Sequence, residues 1–158
     1  LVEHVAAAVR AAAGSVVLIG SPDRYRHLGL PVLADLRPGS GPLGGIETAL
    51  ASTAAEWNLV LACDLPEAER AFLASLLEAA TRSGADCLLP IGPTGLPEPL
   101  CAVYHRRCLP SITAALDAGR FKITDALAAL QVARHEDPAT PCFRNVNTPA
   151  DWAVYKNG

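Results

Sequence analysis

The sequence lacks several features that mark common classes of protein. None of its five cysteines forms a C-x-x-C pair and its four histidines show no metal-site spacing with them, so no zinc-binding pattern is present. Lysine is absent before Lys122 and the formal net charge is −3, so no basic field indicates a nucleic-acid partner. The apolar runs are far too short to span a bilayer, which argues against a membrane.

The composition favours a single globular domain, which we place at residues 1–158. Of these residues, 51% are hydrophobic and 18% are charged, a composition that is neither disordered nor fibrous. The cysteines are odd in number and lie mostly in apolar surroundings, so buried free thiols in a reducing compartment fit them best. We therefore expect a cytoplasmic protein.

Helical and strand-like segments alternate along the chain. Helical patterns cover about residues 1–13, 43–52, 67–82, 106–118 and 124–130, and a last helix begins at Thr148-Pro-Ala-Asp151. Short apolar runs at 15–20, 31–35, 59–63, 86–90, 100–104 and 132–135 predict strands. The β-branched run at 15–20 predicts a strand that is covered on both faces. The runs 86–90 and 100–104 are too close for a helical crossover and predict a hairpin. The remaining alternation predicts an α/β fold with a mostly parallel sheet.

Two aspartates follow predicted strands. Asp35 closes the run Pro31-Val-Leu-Ala-Asp35, and Asp64 comes directly after Leu59-Val-Leu-Ala-Cys63. Ligands of open parallel sheets bind at the carboxyl ends of the strands, so both side chains are expected to face that crevice. A carboxylate there can hold Mg²⁺ together with substrate phosphates. An ordinary role as a helix N-cap or turn residue remains the alternative for each.

A glycine-rich loop precedes the helical segment at residues 43–52. Four glycines lie within Gly39-Ser-Gly-Pro-Leu-Gly-Gly45, so backbone N–H groups there can approach a ligand without obstruction by side chains. The spacing matches neither the P-loop nor the dinucleotide-binding fingerprint, and a plain flexible connection is the alternative.

Two asparagines stand on alternate positions just ahead of the last helix. In an extended segment, Asn145 and Asn147 project to the same side, and their amides can bind the donors and acceptors of a polar ligand. Turn and capping chemistry is the alternative explanation. No local arrangement supports a Ser-His-Asp or Cys-His nucleophile.

Four blocks, taken in order, resemble the molybdenum cofactor guanylyltransferase family. They are Gly41-Pro-Leu-Gly-Gly-Ile46, Leu61-Ala-Cys-Asp-Leu-Pro66, Glu98-Pro-Leu-Cys-Ala-Val-Tyr104 and Asn145-Val-Asn-Thr-Pro-Ala-Asp151. The resemblance covers nearly the whole chain. It implies a Rossmann-like nucleotidyltransferase fold with three αβα layers. It also implies transfer of GMP from GTP to molybdenum-molybdopterin, with release of pyrophosphate.

The same resemblance implies roles for individual residues. Asp64 would carry Mg²⁺ and act in catalysis and nucleotide binding. The pterin side of the site would include Asn145 and Asn147. The other residues expected to bind nucleotide are Asp35, Gly41, Leu43 and Gly44. Molybdenum-insertion and molybdoenzyme-maturation proteins are the expected protein partners.

The family's N-terminal signature is absent from the chain. That signature is a strand followed by Leu-x-Gly-Gly-x-Ser-x-Arg-Met-Gly and a lysine, whereas this sequence opens inside a helical pattern and contains no methionine. Glycine also stands at Gly20, where the family often places an asparagine that contacts the nucleotide. We therefore expect the first strand and loop to be missing, the natural gene product to be longer, and catalysis to depend on that missing loop.

Two other functions are compatible with the sequence. A molybdopterin cytidylyltransferase, or another nucleotidyltransferase of the same fold, is the closest. Cytidylyl relatives tend to carry aspartates in the last block, so Asn145 and Asn147 favour guanine. A non-catalytic relative that binds the pterin or a partner protein is the alternative of a different class.

Overall fold

A computed structural model describes residues 1–137, 140–141 and 143–157 of the chain. The helices are α1 (Val2–Ala13), α2 (Pro22–Tyr25), α3 (Gly41–Ala51), α4 (Arg70–Ser83), α5 (Leu109–Asp117), α6 (Ile123–Leu127) and α7 (Pro149–Asn157). The strands are β1 (Leu18–Ile19), β2 (Val32–Leu33), β3 (Trp57–Leu61), β4 (Cys87–Pro90), β5 (Cys101–His105) and β6 (Val132–His135). Two 3₁₀ turns, Arg26–Leu28 and Arg106–Cys108, complete the described elements.

The main sheet has four strands in the order β3-β5-β4-β6. The β4–β6 pair is parallel, whereas β5 pairs antiparallel with both β3 and β4, so β3, β4 and β6 run in one direction against β5. The α/β class is confirmed, and so is the hairpin expected between residues 86–90 and 100–104. The hairpin makes the sheet mixed, because its returning strand enters between β3 and β4.

Strands β1 and β2 form a separate parallel ladder of two residue pairs. The sequence predicted a strand over residues 15–20 that is covered on both faces, and this prediction is wrong in extent and burial. Only Leu18 and Ile19 are paired, both are half-buried, and Val17 is 41% exposed. Among the described strands, β1 pairs only with β2, and among the described helices only α3 contacts β1 appreciably. Few elements therefore cover this segment.

Side chains of the central strands alternate between the two faces of the main sheet. On β5, Cys101 and Val103 pack with α4, and Ala102 and Tyr104 pack with α3, α5 and α6. Helix α1 lies against α4 on the first face. Burying each large apolar side chain stabilises the fold by about 1.5–3 kcal/mol, so both faces require helical cover. The three-layer αβα arrangement is confirmed.

Local signals for helix ends agree with the structure. Gly14 and Gly84 end α1 and α4 with positive φ, a backbone conformation that a side chain disfavours. Thr148 caps α7: its hydroxyl accepts the N–H of Asp151 at 3.1 Å, and its own N–H donates to the Asp151 carboxylate at 2.9 Å. This is a reciprocal capping box.

A polar contact joins β4 to the segment before β6. Asp86 accepts the backbone N–H of Gln131 at 2.9 Å and the Arg107 guanidinium at 2.5 Å. These bonds, the one from Gln131 foremost, lower the pKa of the Asp86 carboxyl below its ordinary value. In the described part of the chain, no helix is both long and apolar enough to cross a membrane.

Candidate active site

Asp64 lies in a tight loop between β3 and α4, at the carboxyl end of β3. The β3–β5 pairing continues one step beyond the strand, with Ala62 donating to Leu100 at 2.7 Å, and the chain then turns. Leu65 and Pro66 are buried and fix the far side of the turn, whereas Asp64 is half-buried. The carboxylate therefore stands at the rim of the sheet, as its position after the apolar run predicted.

The segment ahead of α7 holds this loop through three consecutive residues. Asn145 donates its side-chain amide to Asp64 Oδ2 at 2.7 Å, and the Val146 N–H donates to the Asp64 carbonyl at 2.9 Å. Arg144 Nε lies 2.6 Å from Glu67 Oε1. Val146 is buried between exposed Asn145 and Asn147, as expected for an extended segment. Asn145 and Asp64 are thus brought together, although 81 residues separate them.

The carbonyl of Pro66 provides a further anchor for the Asp64 loop. It accepts a hydrogen bond from Tyr155 Oη at 3.1 Å and lies 3.3 Å from His4 Nε2. The ring of Trp152 stacks on Tyr155 with centroids 5.3 Å apart and tilts against His4 at 5.4 Å. Burial raises the pKa of the Tyr155 hydroxyl. Helices α1 and α7 therefore meet beneath the loop and fix its backbone.

The environment of Asp64 suits a hard divalent cation. Asn145 occupies Oδ2, and Oδ1 accepts no hydrogen bond from the described residues. Among those residues, no group of three or more His, Cys, Asp or Glu side chains could form a metal cage. Mg²⁺ is commonly bound by one or two carboxylates together with substrate phosphates and water, so a single carboxylate at the rim fits this mode.

A cleft opens beside Asn145. It has a volume of about 650 Å³, within the usual range for a small-molecule site, and includes Arg144, Asn145, Tyr155 and Lys156 among its lining residues. The lining also includes Asp151, and Arg144 is paired with Glu67. Two cations and one carboxylate leave a small positive excess, which together with the amide suits a polar ligand that carries negative charge. Asp64 does not itself line the cleft, but Asn145 does, and its side chain donates to the Asp64 carboxylate.

The glycine loop and Asp35, the other predicted nucleotide-binding residues, lie between β2 and α3. Asp35 is half-buried, and Gly39 and Gly41 are exposed with φ values of 81° and 65°. A side chain would strain these positions, so the exposed backbone requires glycine. Helix α3 begins at Gly41, with Pro42 in its first turn and no side-chain cap from Ser40. Its first N–H groups are thus uncapped by side chains and suited to a ligand acceptor.

Leu43 and Gly44 are both buried. Leu43 is 0% exposed as a whole residue, backbone included, so it supports the loop from within the core. Gly44 packs directly under the loop: a Cβ placed there would lie 2.8 Å from Ser40 Cβ. Gly44 therefore allows the loop to approach the helix, and its contribution is close packing. No bond in the described structure connects this loop with the Asp64 loop.

Glu98 is an acidic residue for which the sequence analysis predicted no role. It lies three residues before Cys101, the first residue of β5, which is opposite Leu61 at the end of β3, so Glu98 and Asp64 lie at the same edge of the sheet. Burial raises the pKa of its carboxyl. Its Oε1 would lie 2.9 Å from a Cβ at Gly92, which shows that glycine there leaves room for the carboxylate. The sequence signal for it was its place at the start of the block Glu98-Pro-Leu-Cys-Ala-Val-Tyr104.

Known proteins resemble this chain over most of its length. A family model described as the MobA-like NTP transferase domain matches residues 1–136. A protein of Deinococcus radiodurans named probable molybdenum cofactor guanylyltransferase is 36% identical over 153 residues, which cover 97% of this chain and 78% of that protein.

Solved structures share the fold. The crystal structure of molybdopterin-guanine dinucleotide biosynthesis protein A from Archaeoglobus fulgidus has a TM-score of 0.74 at 26% identity, over 89% of this chain and 76% of that one. The 2-C-methyl-D-erythritol 4-phosphate cytidylyltransferase of Thermus thermophilus has a TM-score of 0.71 at 20% identity, over 98% and 86%, and shows the fold alone. The predicted nucleotidyltransferase fold is confirmed, and the chain belongs to the MobA-like NTP transferase family.

Proposed function

We propose that this protein transfers GMP from GTP to molybdenum-molybdopterin and releases pyrophosphate. The observation that carries the proposal is the contact between Asp64 and Asn145 beside a cationic cleft. It joins a carboxylate suited to Mg²⁺ with a surface suited to an anionic polar acceptor. The guanylyltransferase name of the Deinococcus radiodurans relative supports guanine as the base.

The nucleotide is proposed to bind along the glycine loop. Asp35 and the exposed backbone of Gly41 would contact GTP, and buried Leu43 and Gly44 would support the loop from beneath. The N-terminus of α3 favours an anion or an acceptor, because its first N–H groups lack intrahelical partners. Gly39 and Gly41 keep this surface free of side chains.

The acceptor is proposed to occupy the cleft lined by Arg144, Asn145 and Lys156. Asn145 and Asn147 would bind polar groups of the pterin, and the two cations would offset the charge of its terminal phosphate. In the transfer, an oxygen of that phosphate attacks the α-phosphorus of GTP. The bond from the α-phosphorus to the bridging oxygen breaks, and pyrophosphate leaves. No protein nucleophile is required, so the chain's task is to position two anions.

Asp64 is proposed to hold Mg²⁺ during this transfer. Bound there, the cation would reduce repulsion between the two phosphate-bearing substrates and stabilise the leaving pyrophosphate. The Asn145 amide fixes the rotamer of the carboxylate, and the bonds to the Pro66 carbonyl fix its backbone. Asp64 is thus presented in one orientation before the substrates arrive.

Turnover with Asp64→Ala tests the catalytic assignment. In the full-length protein, with Mg²⁺ and molybdenum-loaded pterin, we expect GTP turnover to fall below detection while the unfolding transition is retained, because the side chain is half-exposed. Retained turnover would contradict the metal role. CTP assayed in parallel separates the cytidylyl alternative, and a preference for CTP would overturn the assignment of guanine.

Asn145→Ala and Asn147→Ala separate the two asparagines. Only Asn145 contacts Asp64 by its side chain; Asn147 is tied through its backbone to Asp151 at 3.3 Å. Loss of an outer partner of a metal ligand typically costs about 10–100-fold in metal affinity. We expect Asn145→Ala to raise the Mg²⁺ concentration required for half-maximal rate, and Asn147→Ala to change only the KM for the pterin.

A non-catalytic pterin-binding role predicts a different outcome. The pterin would bind the wild-type protein, GTP would not be turned over, and Asp64→Ala would leave pterin binding intact. If the enzyme proposal holds, molybdenum-insertion proteins would supply the pterin substrate and maturation proteins would receive the product. Copurification of either from cells would support that extension.

A further inference from the structure

Glu47 is a buried carboxylate behind the glycine loop. It lies on α3 and is 4% exposed. Each of its oxygens has one partner: Oε2 accepts from Arg37 Nε at 2.8 Å, and Oε1 accepts from Thr113 Oγ1 at 3.0 Å. Desolvation offsets most of the attraction in a buried ion pair, so such a pair is weak evidence for stability. The effect of the Glu47–Arg37 pair on the conformation of the glycine loop therefore matters more here than its net contribution to the free energy of unfolding.

Arg37 connects this carboxylate to the glycine loop. Its guanidinium bridges two helices, since Nε bonds Glu47 on α3 and Nη2 lies 2.7 Å from Asp117 Oδ1 on α5. Its backbone carbonyl accepts the N–H of Ser40 at 3.2 Å. One residue thus ties the loop to both helices.

Thr48, the next residue along α3, holds the loop at a second point. Its hydroxyl accepts the N–H of Leu36 at 3.0 Å and donates to the Gly44 carbonyl at 2.9 Å. Residues 36–44 are therefore anchored on both sides, with exposed Gly39 and Gly41 between the anchors.

We propose that Glu47 and Arg37 are positioning residues for nucleotide binding, whose ion pair holds the glycine-loop backbone in the conformation that accepts GTP. This inference rests on the proposed function, because it assigns GTP to the loop. Without the pair, the loop samples more conformations, and apparent affinity falls in proportion to the population of the competent one. The effect is specific to GTP, since different residues hold the Asp64 loop.

Four variants of the full-length protein test the proposal. Glu47→Gln removes the charge at similar shape, and Arg37→Gln removes the partner on the loop. Arg37→Lys keeps the positive charge but removes the guanidinium that bonds both Glu47 and Asp117. The matched control is Glu78→Gln, which breaks the exposed pair with Arg82 on α4. The measurements are kcat, KM for GTP, KM for the pterin, and amide hydrogen exchange of residues 36–44.

The expected result is a KM effect confined to GTP. In Glu47→Gln and Arg37→Gln, we expect KM for GTP to rise about tenfold, equivalent to about 1.4 kcal/mol, with kcat and pterin KM changed less than about twofold. Exchange in residues 36–44 should be faster, and Arg37→Lys should be intermediate. Glu78→Gln should match the wild type.

Other results overturn the inference. It fails if KM for GTP and loop exchange match those of Glu78→Gln, or if the loss is confined to kcat. Should Glu47→Gln not fold, Arg37→Gln decides, because that side chain is 34% exposed. A wild-type protein that turns over no GTP would refute the proposed function instead. GTP binding measured by calorimetry then decides the positioning role. Weaker binding by Arg37→Gln than by the wild type supports that role, whereas equal binding by the two proteins, or binding by neither, overturns it.

Discussion

Substitution of two adjacent glycines of α3 tests the packing beneath the glycine loop. A Cβ at Gly44 would lie 2.8 Å from Ser40 Cβ, whereas a Cβ at Gly45 would have no neighbour within 4 Å. Packed carbon atoms lie about 3.5–4.0 Å apart, so Gly44→Ala brings two carbons at least about 0.7 Å too close. The matched variant Gly45→Ala adds the same methyl group to open space.

The expected difference in stability follows from two opposing effects. Alanine is favoured over glycine inside a helix by about 1 kcal/mol, and overpacking costs about 1–3 kcal/mol. We expect Gly45→Ala to stabilise the protein by about 0.5–1 kcal/mol, and Gly44→Ala to lie between neutral and about 2 kcal/mol destabilised. For a chain of this size, each kcal/mol shifts Tm by about 2–4 °C.

Thermal unfolding followed by circular dichroism measures this difference, with GTP turnover as the second assay. The Tm of Gly44→Ala should lie at least about 1 °C below that of Gly45→Ala. Because the added methyl group displaces Ser40, KM for GTP should also rise several-fold in Gly44→Ala relative to the wild type. Equal Tm values for the two variants would refute the packing argument, and an unchanged KM would separate Ser40 from nucleotide binding.

Three further measurements test other parts of the fold. Tyr104→Phe removes a buried hydroxyl that donates to the Pro99 carbonyl at 2.7 Å, and urea unfolding should show a loss of about 1–2 kcal/mol. The lowered pKa of Asp86 contributes stability that is present at neutral pH and lost on acidification below about pH 4. In Asp86→Asn, the free energy of unfolding should therefore fall less steeply with acidification over that range than in the wild type. Iodoacetamide should label exposed Cys63 in the native state, whereas Cys101, whose burial raises its pKa to about 12, should react only on unfolding.

Local sequence signals predicted the elements that depend on neighbouring residues. The turn-rich stretch 91–99 between two apolar runs predicted the β4–β5 hairpin, and Thr148 followed by Asp151 predicted the start of α7. In each case the determining contacts lie within a few residues, so composition and spacing carry the information. The extent of β1 was overestimated, because burial of a β-branched run depends on elements far away in the sequence.

In the candidate site too, features set by neighbouring residues could be predicted and features set by distant residues could not. The position of Asp64 at the end of a buried run predicted that it would lie at the rim of the sheet. The buried charge of Glu47 could not be predicted, because its second partner, Thr113, is 66 residues distant. In a helix otherwise rich in small and apolar residues, one glutamate is expected on the solvent face.

The two loops of the proposed site are held by different parts of the chain. The glycine loop is fixed by α3 and α5 through Glu47 and Asp117, so its geometry belongs to one face of the αβα sandwich. The Asp64 loop is fixed by Asn145 and Tyr155. Asn145, which is proposed to bind the acceptor, thus also orients Asp64, the proposed metal ligand. Substitutions before α7 that change acceptor specificity would therefore also alter metal binding at Asp64. They would leave the glycine loop, which is proposed to bind GTP, held by its own contacts with α3 and α5.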